Sequence, residues 1–220
     1  DGLTHSSIWC IVKDNQGTLW LGTYFGGVNY FNPEYEIYTR YSYSSNEKKG
    51  LSNPVVGRTI EDKDGNLWIG TEGGGLNYYN RRTREFKWYR PQEGRNSISH
   101  NNVKALYYDA DKEIIWIGTH LGGLNKLDIR SGHFTHYRME EGNPATLPSD
   151  IIRDIIPYKS LLIVATQNGV CLFNPANGQC QQLFKDSKEG KSIKMIADVT
   201  FDSEGTLWIA ATGEGVFSYR

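Results

Sequence analysis

Cysteine and methionine are scarce in this chain of 220 residues, three and two in number, so a disulfide-dense scaffold and a methionine-rich docking surface are both excluded. Charge of one sign is missing too. With 24 Lys+Arg against 25 Asp+Glu the formal net charge is -1, which gives nucleic acid or an anionic membrane nothing to act on. Neither is expected as a partner. No apolar run approaches the roughly 18 residues of a membrane span, and the opening DGLTHSS has neither a basic nor an apolar signal region. A soluble segment without its own targeting signal is expected.

Enzyme signatures are equally thin. There is no HExxH, no paired-cysteine zinc spacing and no recurring Ser/His/Asp set, and the five histidines (5, 100, 120, 133, 136) share no position in the repeat described below. EGKS at 189–192 lacks the upstream glycine of a phosphate loop, where Lys185 stands. Asp-x-Asp-Gly at 62–65 resembles the start of a calcium loop but lacks the later glutamate. No catalytic residue, metal or cofactor is expected.

What the chain does have is 24 Gly, 14 Tyr, 8 Phe and 6 Trp, a balance suited to short strands and tight turns. These residues recur. GTLWLGTYFGGVNYFN (17–32), GNLWIGTEGGGLNYYN (65–80) and EIIWIGTHLGGLNKLD (113–128) are one element, with Trp20, Trp68 and Trp116 spaced by 48 and 48. A fourth copy at 160–174 has Ile163 in the tryptophan's place, 47 residues on, and a fifth at 205–219 has Trp208 another 45 residues later.

Each unit reads as four strands. An apolar first strand (Val55–Glu61, Val103–Tyr108) is followed by LWIGT, by GLNYY or GLNKL, and by EFKWYR or HFTHYR. Compact turns DNQG, DKDG and DSEG join the first two strands. Four antiparallel strands repeated in tandem leave two faces that one copy cannot bury, and stacking them around an axis resolves this. The fold expected is all-β, a β-propeller of 45–48-residue blades, bounded near 8–53, 54–101, 102–150, 151–195 and 196–220. The last blade has only three strands, and residues 1–7 do not supply its fourth. About four and three-quarter blades predict a fragment of a larger ring, with open sheet faces that favour self-association. The missing tryptophan at Ile163 predicts a looser fourth blade.

Asp-x-x-Gly-x-Leu-Trp-[Ile/Leu]-Gly-Thr, followed by Gly-Gly-[Leu/Val]-Asn and a loop ending Gly-Leu-Ser, resembles the two-component regulator propeller repeat of Bacteroides-type periplasmic sensor domains. The resemblance spans nearly the whole chain and is strongest in the first three units. It implies a seven-bladed propeller in the periplasm, upstream of a sandwich domain, a membrane helix and a histidine kinase, with oligosaccharides as signals. The chain itself then reads as a non-catalytic sensor module. A protein-interaction or dimerisation scaffold is the alternative, and a propeller lyase or glycosidase a third reading; the turns differ from sialidase aspartate boxes in the spacing of Asp to Gly.

If the first strand runs from top to bottom, the variable second-to-third and fourth-to-first connections share the top face, where recognition is usually built. Tyr24 and Phe25 offer aromatic faces, and Glu72, Arg95 and His120 offer polar groups to a sugar. Arg58, Asp154 and Asp198 share a first-strand position near the channel, and Arg58 joins the candidates. Cys171 and Cys180 flank the turn NPANG and could form a disulfide in an oxidising periplasm, while two reduced thiols packed as small apolar groups remain the other possibility.

Overall fold

The computed structural model describes residues 3–32, 34, 37–184 and 193–220. EGKS at 189–192 and most of the loop before residue 195 lie outside them. The first blade comprises β1 (Ile8–Lys13), β2 (Leu19–Thr23), β3 (Val28–Asn32) and β4 (Ile37–Tyr41), and the second β5 (Val56–Glu61), β6 (Leu67–Thr71), β7 (Gly75–Asn80) and β8 (Glu85–Tyr89). The third is β9 (Val103–Asp109), β10 (Ile114–Thr119), β11 (Leu124–Asp128) and β12 (Phe134–Tyr137). The fourth is β13 (Ile152–Tyr158), β14 (Leu161–Thr166), β15 (Gly169–Phe173) and β16 (Cys180–Gln182). The fifth has three strands, β17 (Ile196–Phe201), β18 (Leu207–Ala211) and β19 (Gly215–Tyr219). Each is an antiparallel meander in chain order, and the first strands of successive blades lie side by side. The fold is the expected all-β propeller arrangement, with four four-stranded sheets and one three-stranded sheet among the described residues.

The repeat motif has a physical cause at each fixed position. Asp14 opens the turn after β1, and its Oδ1 accepts the backbone N–H groups of Gln16 and Thr18 at 2.9 and 2.8 Å. Its other oxygen accepts the Trp20 indole N–H at 2.8 Å. Asp62 and Asp202 do the same for Trp68 and Trp208. The acidic turn residue is thus consumed by backbone and indole. That is why Asp-x-Asp-Gly at 62–65 is a turn.

Glycine is required at the entrance to the third strand. Gly27, Gly75 and Gly123 have φ of +73°, +82° and +70°, and a Cβ on them would lie 2.2 to 2.3 Å from the carbonyl oxygens of Tyr41, Tyr89 and Tyr137. The Thr-Gly spacing follows, because Thr23, Thr71 and Thr119 donate their hydroxyls to those glycine carbonyls. Asparagine in the third strand has its own role. Fully buried Asn77 accepts the backbone N–H of Ser52 at 2.8 Å, and Asn125 accepts that of Ser99 at 2.9 Å. Each closes its own blade's entry loop, as Asn29 does with Thr4. This is the physical content of the recurring Gly-Leu-Ser and Gly-Leu-Asn pair.

Core packing lies between blades. Trp20 packs with Leu67, Tyr79 and Phe86 of the second blade, Trp68 with Ile115, Leu127 and Phe134 of the third, and Trp116 with Leu162, Val164 and Phe173 of the fourth. All three indoles are 1% exposed. Ile163 meets Val199, Leu207 and Ile209 of the fifth blade, helped by Tyr158 stacked on Phe201 at 5.4 Å. A cavity of about 230 Å³ lies beside Ile163, lined also by Tyr158, Phe201 and Leu207. Trp208 is 40% exposed, and Val216 and Tyr219 on the same blade are 65% and 54% exposed.

Candidate functional site

The first strands surround a channel. A cavity of about 670 Å³ runs along it, lined by side chains from β1, β5, β13 and β17, among others. Arg58 spans it from the second blade, its Nη2 lying 3.0 Å from Asp154 of the fourth and 3.6 Å from Asp198 of the fifth. Burial pushes the Asp154 carboxyl up to about 6, reinforced by its hydrogen bond with Asp198 and opposed by the Arg58 charge. Two carboxylates and one cation from three blades thus crowd one position of the channel.

Above this group lies the channel mouth. Strand pairing puts the start of β1 opposite the end of β2, and the same holds in every blade, so the first-strand starts and the second-to-third turns face one end. Tyr24 stacks on Trp9 at 5.3 Å with an interplanar angle of 12°, and Phe25 meets Tyr24 edge-on at 4.4 Å. Lys104 pairs with Glu72, and its ammonium lies 5.5 Å from the centre of the Trp9 ring. His120 is held below its ordinary pKa by burial first, then by the charges of Arg153, Lys104 and His100, with Glu72 opposing. Its Nδ1 is buried without a hydrogen-bond partner among the described residues.

Five of the six candidates from the sequence, Tyr24, Phe25, Glu72, His120 and Arg58, therefore gather around one end of the channel. Arg95 does not: its guanidinium contacts Gln92 of its own exposed loop. Sequence reasoning missed Trp9, Lys104 and Arg153. The available signal was an alignment of the second residue of each first strand, where Trp, Gly, Lys, Arg and Ala occur in turn. Cys171 and Cys180 are free cysteines with Sγ atoms 3.3 Å apart. The hydrogen bond with Cys180, followed by burial, holds the Cys171 thiol well above its ordinary range. Among the described residues no three His, Cys, Asp or Glu side chains converge as metal ligands, and no helix is long and apolar enough to cross a membrane.

A family profile described as the two-component regulator propeller matches residues 2–25, 50–73 and 97–120, which are the entry loop, first strand and second strand of the first three blades. The chain carries two-component regulator propeller repeats. Its backbone superposes with a TM-score of 0.82 on the extracellular domain of the protein described as hybrid two component system BT3049 from B. thetaiotaomicron. The two are 25% identical, over 100% of this chain and 29% of that one. A second such extracellular domain, of BT4673 from the same organism, gives 0.76 and 25% over 97% of this chain and 29% of that one. The chain thus spans less than a third of the length of these two proteins. The gluconolactonase XC5397 from Xanthomonas campestris, 12% identical at a TM-score of 0.65 over 96% of this chain and 71% of that one, shares the fold alone. No curated protein matches the chain. The similarity of these propeller repeats to extracellular domains of two-component systems supports a sensor role over an enzymatic one.

Proposed function

We propose that this chain is part of the periplasmic sensor region of a hybrid two-component protein, contributing to recognition of an oligosaccharide and passing that event to a membrane-anchored kinase outside these residues. The observation that carries the reading is the match of three blades to two-component regulator propeller repeats, together with similarity along the whole chain to extracellular domains of such systems. In this reading the five blades form an arc of a seven-bladed ring, and a further blade covers Trp208, Val216 and Tyr219. The channel end bearing Tyr24, Phe25, Glu72 and His120 is the recognition face. Aromatic faces there stack on sugar C–H patches, and carboxylate and imidazole bridge hydroxyls. Titration of an oligosaccharide panel against the complete extracellular region tests this, with Tyr24→Ala, Phe25→Ala and Glu72→Ala as variants. Saturable binding weakened at least tenfold by these changes is expected; undiminished binding in all three would place recognition elsewhere.

The exposed face of the fifth blade favours a second reading, a dimerisation or interaction platform. Light scattering distinguishes them, since Trp208→Glu would dissociate a dimer built on that face and leave a monomer unchanged. In an oxidising periplasm we further propose that Cys171 and Cys180 join. Alkylation should then add two labels only after reduction, and equal labelling with and without reductant would refute the bridge.

A further inference from the structure

Every first strand breaks register with its second strand at the same point. The pairing skips between Ile8 and Cys10, Val103 and Ala105, Ile152 and Asp154, and Ile196 and Asp198, and in the second blade between Val56 and Thr59. Such a bulge releases one residue from strict alternation and re-aims its side chain. The residues at the bulge are Trp9, Gly57, Lys104, Arg153 and Ala197, one from each blade. All five line a single cavity of about 380 Å³ at the channel mouth, with Cys10, Arg58 and Asp198 at its base.

The order of these five residues gives the cavity two unlike walls. Gly57 and Ala197 leave gaps. A Cβ on Gly57 would stand 3.0 Å from the Val103 carbonyl oxygen, so the glycine also has a packing reason. Across the gap at Gly57 the half-exposed Trp9 indole of the first blade reaches the Lys104 ammonium of the third. Lys104 and Arg153, on adjacent blades, form the cationic side. Lys104 is paired with Glu72, and Arg58 with Asp154 and Asp198. Arg153 has no ion pair or hydrogen bond among the described side chains. A guanidinium lining a cavity without a carboxylate partner, opposite a half-exposed indole whose one face is stacked on Tyr24, leaves an anion site beside the indole's remaining face and edge.

We propose that the channel mouth binds a small carboxylate-bearing ring compound, with Arg153 and Lys104 holding the carboxylate and Trp9 stacking against the ring. As the ligand class of the sensor region it rests on the reading above, but the two fail separately. Isothermal titration of the complete extracellular region at low ionic strength, using sodium D-glucuronate, D-glucose and sodium acetate as probes, tests it. Glucuronate should bind saturably and at least tenfold more tightly than glucose or acetate. Arg153→Gln should weaken it at least tenfold, Trp9→Leu several-fold, and Ala197→Tyr should abolish it by filling the cavity while leaving the thermal transition in place. No saturable glucuronate binding, equal binding of glucose or acetate, or full affinity in Arg153→Gln would overturn the proposal. Oligosaccharide binding by the complete extracellular region that depends on Tyr24 and Phe25 would survive any of those results.

Discussion

The second and fourth blades have the same strand order but differ at three fixed positions of the repeat. The second has Asp62 in its turn, Trp68 against the third blade and Asn77 under its entry loop; the fourth has Tyr158, Ile163 and Cys171 at the corresponding places. The indole is fully enclosed in one case, whereas a cavity of about 230 Å³ lies beside Ile163 in the other. Strand order thus tolerates loss of the whole set, because backbone pairing within a blade is untouched. What changes is the seam between blades. Large aromatic area and a buried acceptor hold it in one case, and a mainly aliphatic cluster flanked by the Tyr158–Phe201 stack in the other.

Placing the fourth blade's residue in the second gives the largest expected effect. Trp68→Ile should lose about 3 kcal/mol of unfolding free energy, from lost burial and the cavity left behind, read from urea denaturation. Trp208→Ile should lose far less, because its indole is 40% exposed. Equal losses would show that the tryptophan acts within its own sheet and not across the seam.

Asp14→Ala comes next. Burial would raise the Asp14 carboxyl, but hydrogen bonds from Trp20 and the Thr18 N–H, with the charge of Arg81, bring it below the usual carboxylate range. Removing it strands the buried indole N–H, while the Arg81 guanidinium keeps Glu61 at 3.5 Å and Gln16 at 3.1 Å, at a cost of about 2 kcal/mol. Asp202→Ala, at an exposed turn of the same design, should leave the transition unchanged.

The channel side of the fourth blade gives a pH signature. Asp154 holds its proton to about pH 6 when folded, against an ordinary value of 3.8 in the open chain. The folded state therefore binds more protons between these values, and stability falls as pH rises through that window and levels off above it. The fall from this group is on the order of 2 kcal/mol, and Asp154→Asn should flatten it. Thermal melts from pH 4 to 8 measure this directly; an unchanged slope in the variant would assign the proton to another group. Ile163→Trp carries the smallest effect. By filling the cavity at the fourth seam it should raise stability by about 1 kcal/mol, and a loss of similar size would show that the seam has closed around isoleucine.

Much of the fold was legible because the repeat records contacts made inside one blade. Gly75, Thr71, Asn77 and Asp62 are each explained by atoms within about 25 residues of chain, and so they recur at one spacing. The three-stranded fifth blade was equally visible. The site was legible only in part. Tyr24, Phe25, Glu72 and His120 stand out as departures in an otherwise repeating turn. Lys104 and Arg153 occupy strands, where alternation assigns them an ordinary face, and only the bulge turns them into the channel. Trp9 lies outside the repeat position shared by Trp20, Trp68 and Trp116, so the period does not mark it. Arg95 misled because loop variability marks a face but does not say which residues on it converge.

The bond from each third-strand asparagine to its own entry loop has a consequence for assembly. Thr4 with Asn29, Ser52 with Asn77 and Ser99 with Asn125 each join positions 25 or 26 apart in the chain. A unit can therefore complete its meander and fasten its loop before its neighbour exists. Folding by accretion along the arc follows, each new blade adding mainly side-chain contacts to a surface already formed. No blade encodes how many others there are; that number is set by the angle at which successive seams meet.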